Sequence, residues 1–128
     1  MPIEFKDFIT RKEVREHISN HVYVFGDNLE RKGFGGQAKQ MRGEPNTIGI
    51  PTKKSPYKYF TDKDYENVID AILVQFDIID IYLRNGFIVV IPSAGIGTGR
   101  AKLAEKAPKI WKVLKERLES LGWKSCEQ

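Results

Sequence analysis

The chain has 128 residues, of which 41% are apolar and 30% charged, with a net charge of +4 and a pI near 9.2. That length and balance predict one globular domain over residues 1–128 and exclude a disordered chain, a coiled coil and a collagen-like repeat. No stretch reaches the roughly 18 apolar residues of a membrane span, the N-terminus MPIEFKDFITRKEVRE lacks an apolar signal core, and a cytoplasmic monomer is expected. The basic balance suits a phosphate-bearing partner, polymer or small nucleotide, but no basic run marks a nucleic-acid arm.

Ile3, Phe5 and Phe8 alternate with polar residues as in a short strand. Thr10 and Glu13 have capping-box spacing, and Val14 with Ile18 predicts a brief helix that stops near Ser19 and Asn20. The segment HVYVFG at 21–26 is apolar on both faces, as a central strand is. A glycine-punctuated loop follows from Gly26 to Gly36, then helix-compatible residues from Gln37 to Met41.

TIGIP at 47–51 reads as a strand closed by Pro51, with a polar loop after it. From Asp62 to Asn85 apolar residues recur at helical spacing, and Gly86 supplies the stop. FIVVI at 87–91 is a wholly apolar strand ended by Pro92, and a second glycine-rich loop runs from Ser93 to Arg100. Leu103, Ala107, Ile110, Leu114, Leu118 and Leu121 predict one closing helix with Pro108 in or near its first turn. Strands alternating with helices predict an α/β fold, a three-layer α/β/α sandwich with a mixed, mostly parallel sheet.

Both glycine loops follow the carboxyl end of a predicted buried strand and precede a helix, so both fall on the edge where open α/β sheets bind ligands. Glycines there let backbone N–H groups approach an anion, or serve only as turns. The second loop is not a P-loop, because Arg100 stands where GK[ST] would place its lysine. GFGG at 33–36 leaves the dinucleotide fingerprint incomplete, and no acidic residue ends a following strand to hold a ribose.

The strand VYVFG, DN at 27–28, GFGGQAK at 33–39 and PSAGIGTG at 92–99 together resemble the macrodomain family of ADP-ribose-binding modules, phage macrodomain-like proteins included. The resemblance implies an ADP-ribose or ADP-ribosylated protein or nucleic-acid partner, with no metal and no cofactor. It implies that Asn28 binds the distal ribose, that Gly33, Gly35 and Gly36 wrap it, that Gly95, Ile96, Gly97, Thr98 and Gly99 form a diphosphate loop, and that Gly26 and Ser93 are also among the ligand-binding residues. Asp7 would read the adenine amino group. IPTKK at 50–54 is similar to the branch that hydrolyses ADP-ribose linkages, which would make Lys53 catalytic beside Pro51 and Thr52. The chain departs from that branch at Gly99, where the resemblance expects an aspartate, and Asp27 is the residue that could assist instead.

Each of these residues also has a plain reading. Lys53 could be a solvated lysine beside Lys54 and Lys58, Asp27 a turn cap, and Asn28 the same. Tyr57, Tyr59 and Phe60 could stack on a base or cover the sheet edge. His17 and His21 lack a third ligand for a metal, Trp111 is expected in the core with Trp123 as a half-buried cap, and Cys126 is expected to be an exposed spare thiol. Two rivals to an ADP-ribosyl hydrolase are a non-catalytic reader or sequestering protein for such nucleotides, and a nucleic-acid-binding domain.

Overall fold

A computed structural model describes residues 2–125, and Cys126 therefore lies outside the described residues. The elements are β1 (Ile3–Lys6), α1 (Arg11–Glu16), β2 (His21–Asn28), α2 (Ala38–Met41), β3 (Thr47–Ser55), β4 (Lys58–Tyr59), a 3₁₀ turn (Asp62–Asp64), α3 (Tyr65–Arg84), β5 (Ile88–Pro92), α4 (Leu103–Lys106) and α5 (Pro108–Ser120). The fold is α/β, with one sheet in the order β1-β5-β2-β3-β4. The first four strands run parallel and β4 closes the edge antiparallel to β3, so the sheet is mixed.

Strand alternation sends successive side chains to opposite faces. Val22 and Val24 of β2, Ile48 and Ile50 of β3, and Val89 and Ile91 of β5 pack with the apolar stripe of α3 (Val68, Ile72, Phe76, Ile79) and with Ile110, Leu114 and Leu118 of α5. Tyr23, Phe25 and Val90 point the other way, against Ile9, Val14 of α1, and Ala38 and Met41 of α2. Strands apolar on both faces are the consequence of having a core on each side.

Several boundaries differ from the sequence expectation: β1 ends at Lys6 and not at Phe8, and β2 runs on past Gly26 to Asn28. Helix α1 stops at Glu16 and leaves Ile18 half exposed, while Thr10 caps it by accepting from the Glu13 N–H at 3.2 Å. Strand β3 continues through Pro51 to Ser55. Tyr23 N–H donates to the Asn46 carbonyl, so the even-numbered residues of β3 face β2 and Pro51 faces the other way. Strand β4 pairs with β3 only at Lys53 and Ser55, so the missing Pro51 N–H breaks no ladder bond. The polar loop after Pro51 is thus a strand end and a short hairpin. The closing helix is two helices, because Ala107 leaves helical geometry at φ −145° and Pro108 starts α5 at its first position. Among the described residues no helix is long and apolar enough to cross a membrane.

Candidate functional site

Strands β2 and β5 are parallel neighbours, so their carboxyl ends place the two glycine loops side by side. The first loop leaves β2 after Asn28, and the side chain of Asp27, next to last in that strand, is buried. Asp27 Oδ1 accepts from Arg42 Nη2 at 2.6 Å and from the Asn28 N–H at 2.8 Å, and Oδ2 accepts from Arg31 Nη1 at 2.9 Å. Arg42, the residue that ends α2, reaches back to the Gly33 carbonyl at 2.7 Å and the Lys32 carbonyl at 3.1 Å. The Asn28 amide also donates to the Lys32 carbonyl, at 2.7 Å. The loop carbonyls are thereby drawn inward. The N–H groups of Gly33, Phe34, Gly35, Gly36 and Gln37 donate to no acceptor among the described residues.

The second loop leaves β5 and is held by its carbonyls in the same way. Gly95 N–H bonds to Pro92, Thr98 Oγ1 donates to the Ala94 carbonyl at 2.8 Å, and Leu103 N–H bonds to the Gly97 carbonyl at 3.1 Å. Two glycines here are required by close approach as well as by positive φ: a Cβ on Gly95 (φ +90°) would lie 2.6 Å from the Trp123 ring, and one on Gly97 (φ +83°) 2.5 Å from Leu103. Ile96, fully buried, pins the loop to the core. The N–H groups from Ile96 to Ala101 donate to no acceptor among the described residues. Both runs belong to residues that line one concave cleft, and backbone N–H groups without an acceptor are groups that an anion can satisfy.

Between the loops lies a cleft of about 560 Å³. Its floor is Gly26, Thr52 and Ile96, where a Cβ on Gly26 would sit 3.7 Å from both neighbours. Asp7 and Phe8, beyond β1, stand at one end, and Lys53, near the end of β3, with Pro56 and Tyr57 just beyond it, at the other. Phe8, Phe34 and Tyr57 line the cleft with exposed rings. Lys32, Lys53 and Arg100 line it without a carboxylate partner among the described residues, and Asp7 accepts from Ser93 Oγ. The local field is positive.

The cleft therefore brings together most of the residues singled out by sequence. Asp7, Gly26, Asp27, Asn28, Gly33, Gly35 and Gly36 line it from β1, β2 and the first loop. Thr52, Lys53, Gly95, Ile96, Gly97, Thr98 and Gly99 line it from β3 and the second loop. Pro51 and Ser93 do not; Ser93 stands behind the wall, bonded to Asp7 and to the Trp123 indole N–H at 2.9 Å.

Two roles change. Asp27 was expected to assist at the reacting centre, but both its oxygens are taken by arginines, which makes it the anchor of the first loop. Asn28 spends its amide on Lys32, closing the same loop. Lys53 Nζ donates to the Pro56 carbonyl at 2.7 Å and lies 5.6 Å from the centre of the Tyr59 ring, whose other neighbour is Lys106 at 5.1 Å.

Of the three aromatics that could stack on a base or cover the sheet edge, Tyr57 alone lines the cleft, since Phe60 is buried in the core and Tyr59 lies among lysines. The tryptophans exchange their expected places: Trp123 is buried against Gly95 and Trp111 is partly buried. Sequence reasoning passed over Arg42, Lys32, Phe8, Phe34 and above all Arg100, which it met only as a misfit to a P-loop. Gln37 was also missed. Its side chain exchanges two 2.8 Å hydrogen bonds with the backbone of Ile9, fastening the β1 end of the cleft to the first loop.

Among the described residues no group of three or more His, Cys, Asp or Glu side chains converges on a metal-sized point. His17 and His21 pack ring against ring at 4.7 Å instead.

Neither a curated protein nor a solved structure matches the chain. A family model matches residues 4–117, and it is that of a family of unknown function and not the macrodomain family, which corrects the resemblance drawn from VYVFG, GFGGQAK and PSAGIGTG. Those motifs are short, and any strand, glycine loop and helix at this sheet edge satisfies them. The chain belongs to the family of unknown function DUF7831.

Proposed function

We propose that the cleft binds ADP-ribose or a closely related nucleotide, its diphosphate between the two glycine loops. The observation that carries this reading is the pair of N–H runs, Gly33 to Gln37 and Ile96 to Ala101, that find no acceptor among the described residues and belong to residues lining one cleft. Lys32, Lys53 and Arg100, without a carboxylate partner among the described residues, supply positive charge for the phosphates, and the exposed rings offer flat apolar surface for a base. A volume of about 560 Å³ suits a ligand of nucleotide size. The fold that presents this site is a three-layer α/β/α arrangement, with α1 and α2 over one face of the sheet and α3 and α5 over the other, and the protein acts as a monomer.

The geometry favours binding without turnover. Hydrolysis of a glycosidic linkage needs a group to activate water or to attack the anomeric carbon. Both Asp27 oxygens are already engaged by arginines, and Gly99 brings no carboxylate. Lys53 remains beside the cleft and is the residue through which hydrolysis would run.

Calorimetric titration with ADP-ribose, with AMP and a short DNA as controls, tests the binding. Saturable, selective binding of ADP-ribose is expected. Tighter binding of DNA with a steep salt dependence would replace this reading with a nucleic-acid interface. Incubation with ADP-ribosylated peptide or DNA tests turnover, and release of ADP-ribose that vanishes in Lys53→Ala would restore the hydrolase reading.

A further inference from the structure

We infer that Arg100 is a specificity-determining residue that makes the cleft select a diphosphate over a monophosphate. The inference rests on the nucleotide reading above and names what that site recognises. Arg100 belongs by its backbone to the second loop, yet its guanidinium lies against the first: a Cβ on Gly35 would come within 2.7 Å of Arg100 Nη1 and 3.6 Å of its Cζ. Gly35 leaves open the space that the guanidinium occupies, where a Cβ would crowd it. Both residues line the cleft.

Every other arginine near the first loop is engaged. Arg31 and Arg42 pair with Asp27, and Arg42 also holds two carbonyls. Arg100 makes no hydrogen bond and no ion pair within the described residues. Its donors form a planar fork suited to two oxygens at once.

Each loop supplies one run of free N–H donors, so a single phosphate satisfies one run and leaves the other unmet. Two linked phosphates satisfy both, and a guanidinium spanning the loops bonds to oxygens of each. The part of the ligand recognised there is an internal or terminal diphosphate.

The test titrates the full chain and Arg100→Ala with pyrophosphate, phosphate and ADP-ribose. The wild type is expected to prefer pyrophosphate to phosphate. Loss of the charged fork should weaken pyrophosphate and ADP-ribose by about 10- to 100-fold while changing phosphate much less. Arg100→Lys should restore little of it, since a point charge cannot fork. Unfolding midpoints equal to wild type would show that the loss is not structural.

Equal weakening of phosphate and pyrophosphate, or none, overturns the inference, as does a wild type that binds no anion. Arg100-dependent pyrophosphate binding without ADP-ribose binding would uphold it and sink the nucleotide reading. ADP-ribose binding indifferent to Arg100 would do the reverse.

Discussion

Arg42 Nη2 donates to Asp27 Oδ1 at 2.6 Å while the same guanidinium holds the carbonyls of Lys32 and Gly33. One ion pair, between a strand end and a helix end fifteen residues later in the chain, sets the course of the first glycine loop. The carbonyls are drawn to Arg42, while the N–H groups that follow, in residues that line the cleft, find no acceptor among the described residues.

Asp27→Asn should therefore damage stability and binding together. Removing one member of a buried pair leaves the other charge uncompensated, at about 3–5 kcal/mol in full burial. Arg42 is largely buried but Arg31 is 45% exposed, so solvent screens part of the loss, and about 2–3 kcal/mol is expected. Urea unfolding measures it. A variant as stable as wild type that still binds ligand would show that the loop holds its course without the pair.

How much of this was legible in sequence follows from which interactions are local. Strands β2 and β5 were readable because a core on each face forces continuous apolar runs, and α3 because its buried stripe repeats every turn. The extension of β3 past Pro51 was not, since whether a proline ends a strand depends on whether a neighbour lies on its N–H side. The cleft itself was legible as two glycine loops at matching strand ends. Its internal wiring was not, because the pairing of Asp27 with Arg42 depends on α2 folding back over β2, and no spacing in the chain encodes that return. Arg100 became significant only when Gly35 was found beneath it.

The glycines of the second loop should divide into two classes. Gly97→Ala introduces a Cβ 2.5 Å from Leu103 at a left-handed φ of +83°, and the strain and overpacking together should cost about 2–4 kcal/mol. Gly99→Ala meets no atom within 4 Å and needs no positive φ, so its stability should stay within about 0.5 kcal/mol of wild type. Gly99→Asp should fold equally well and bind ADP-ribose more weakly, because it places a carboxylate at the anion cradle. Thermal unfolding separates the first pair, and titration with ADP-ribose reads the third. Tighter binding by Gly99→Asp would argue against phosphates in that loop.

Acid should loosen the brace behind the first loop. Burial pushes the Glu44 carboxyl up, but hydrogen bonds from Arg11 and Arg15 outweigh it and hold the group below its ordinary 4.5. The Arg11 guanidinium also bonds to the carbonyls of Lys39, in α2, and Arg42, so the brace ties α1 to α2. A carboxyl that is more acidic folded than unfolded contributes stability that is complete above the unfolded value and lost as pH falls through the folded one. Asp64 adds in the same sense: burial opposes ionisation, and the Thr61 N–H and Lys54 prevail, holding it below its ordinary 3.8. The unfolding midpoint should fall as pH drops below about 4.5, and Glu44→Gln should be destabilised at neutral pH while converging on wild type in acid. A gap between the two that is constant with pH would refute a titrating brace.

The rings around the cleft should report which way the ligand lies. Phe8, Phe34 and Tyr57 are 60%, 65% and 93% exposed, so each can become alanine with little loss of fold. Phe8 adjoins Asp7, whose carboxylate can accept from an amino group on a base, whereas Tyr57 lies at the lysine end of the cleft. If adenine occupies the Asp7 end, Phe8→Ala removes a stacking surface and should cost about 1–3 kcal/mol with ADP-ribose. Pyrophosphate, which has no base, should bind Phe8→Ala as it binds wild type. Tyr57→Ala should then weaken ADP-ribose only slightly, the ribose beyond the diphosphate having no flat face to stack. The opposite pattern, with Tyr57→Ala deficient and Phe8→Ala normal, would turn the nucleotide end for end and put Lys53 beside the base instead of the distal ribose, removing the reason to seek hydrolysis there.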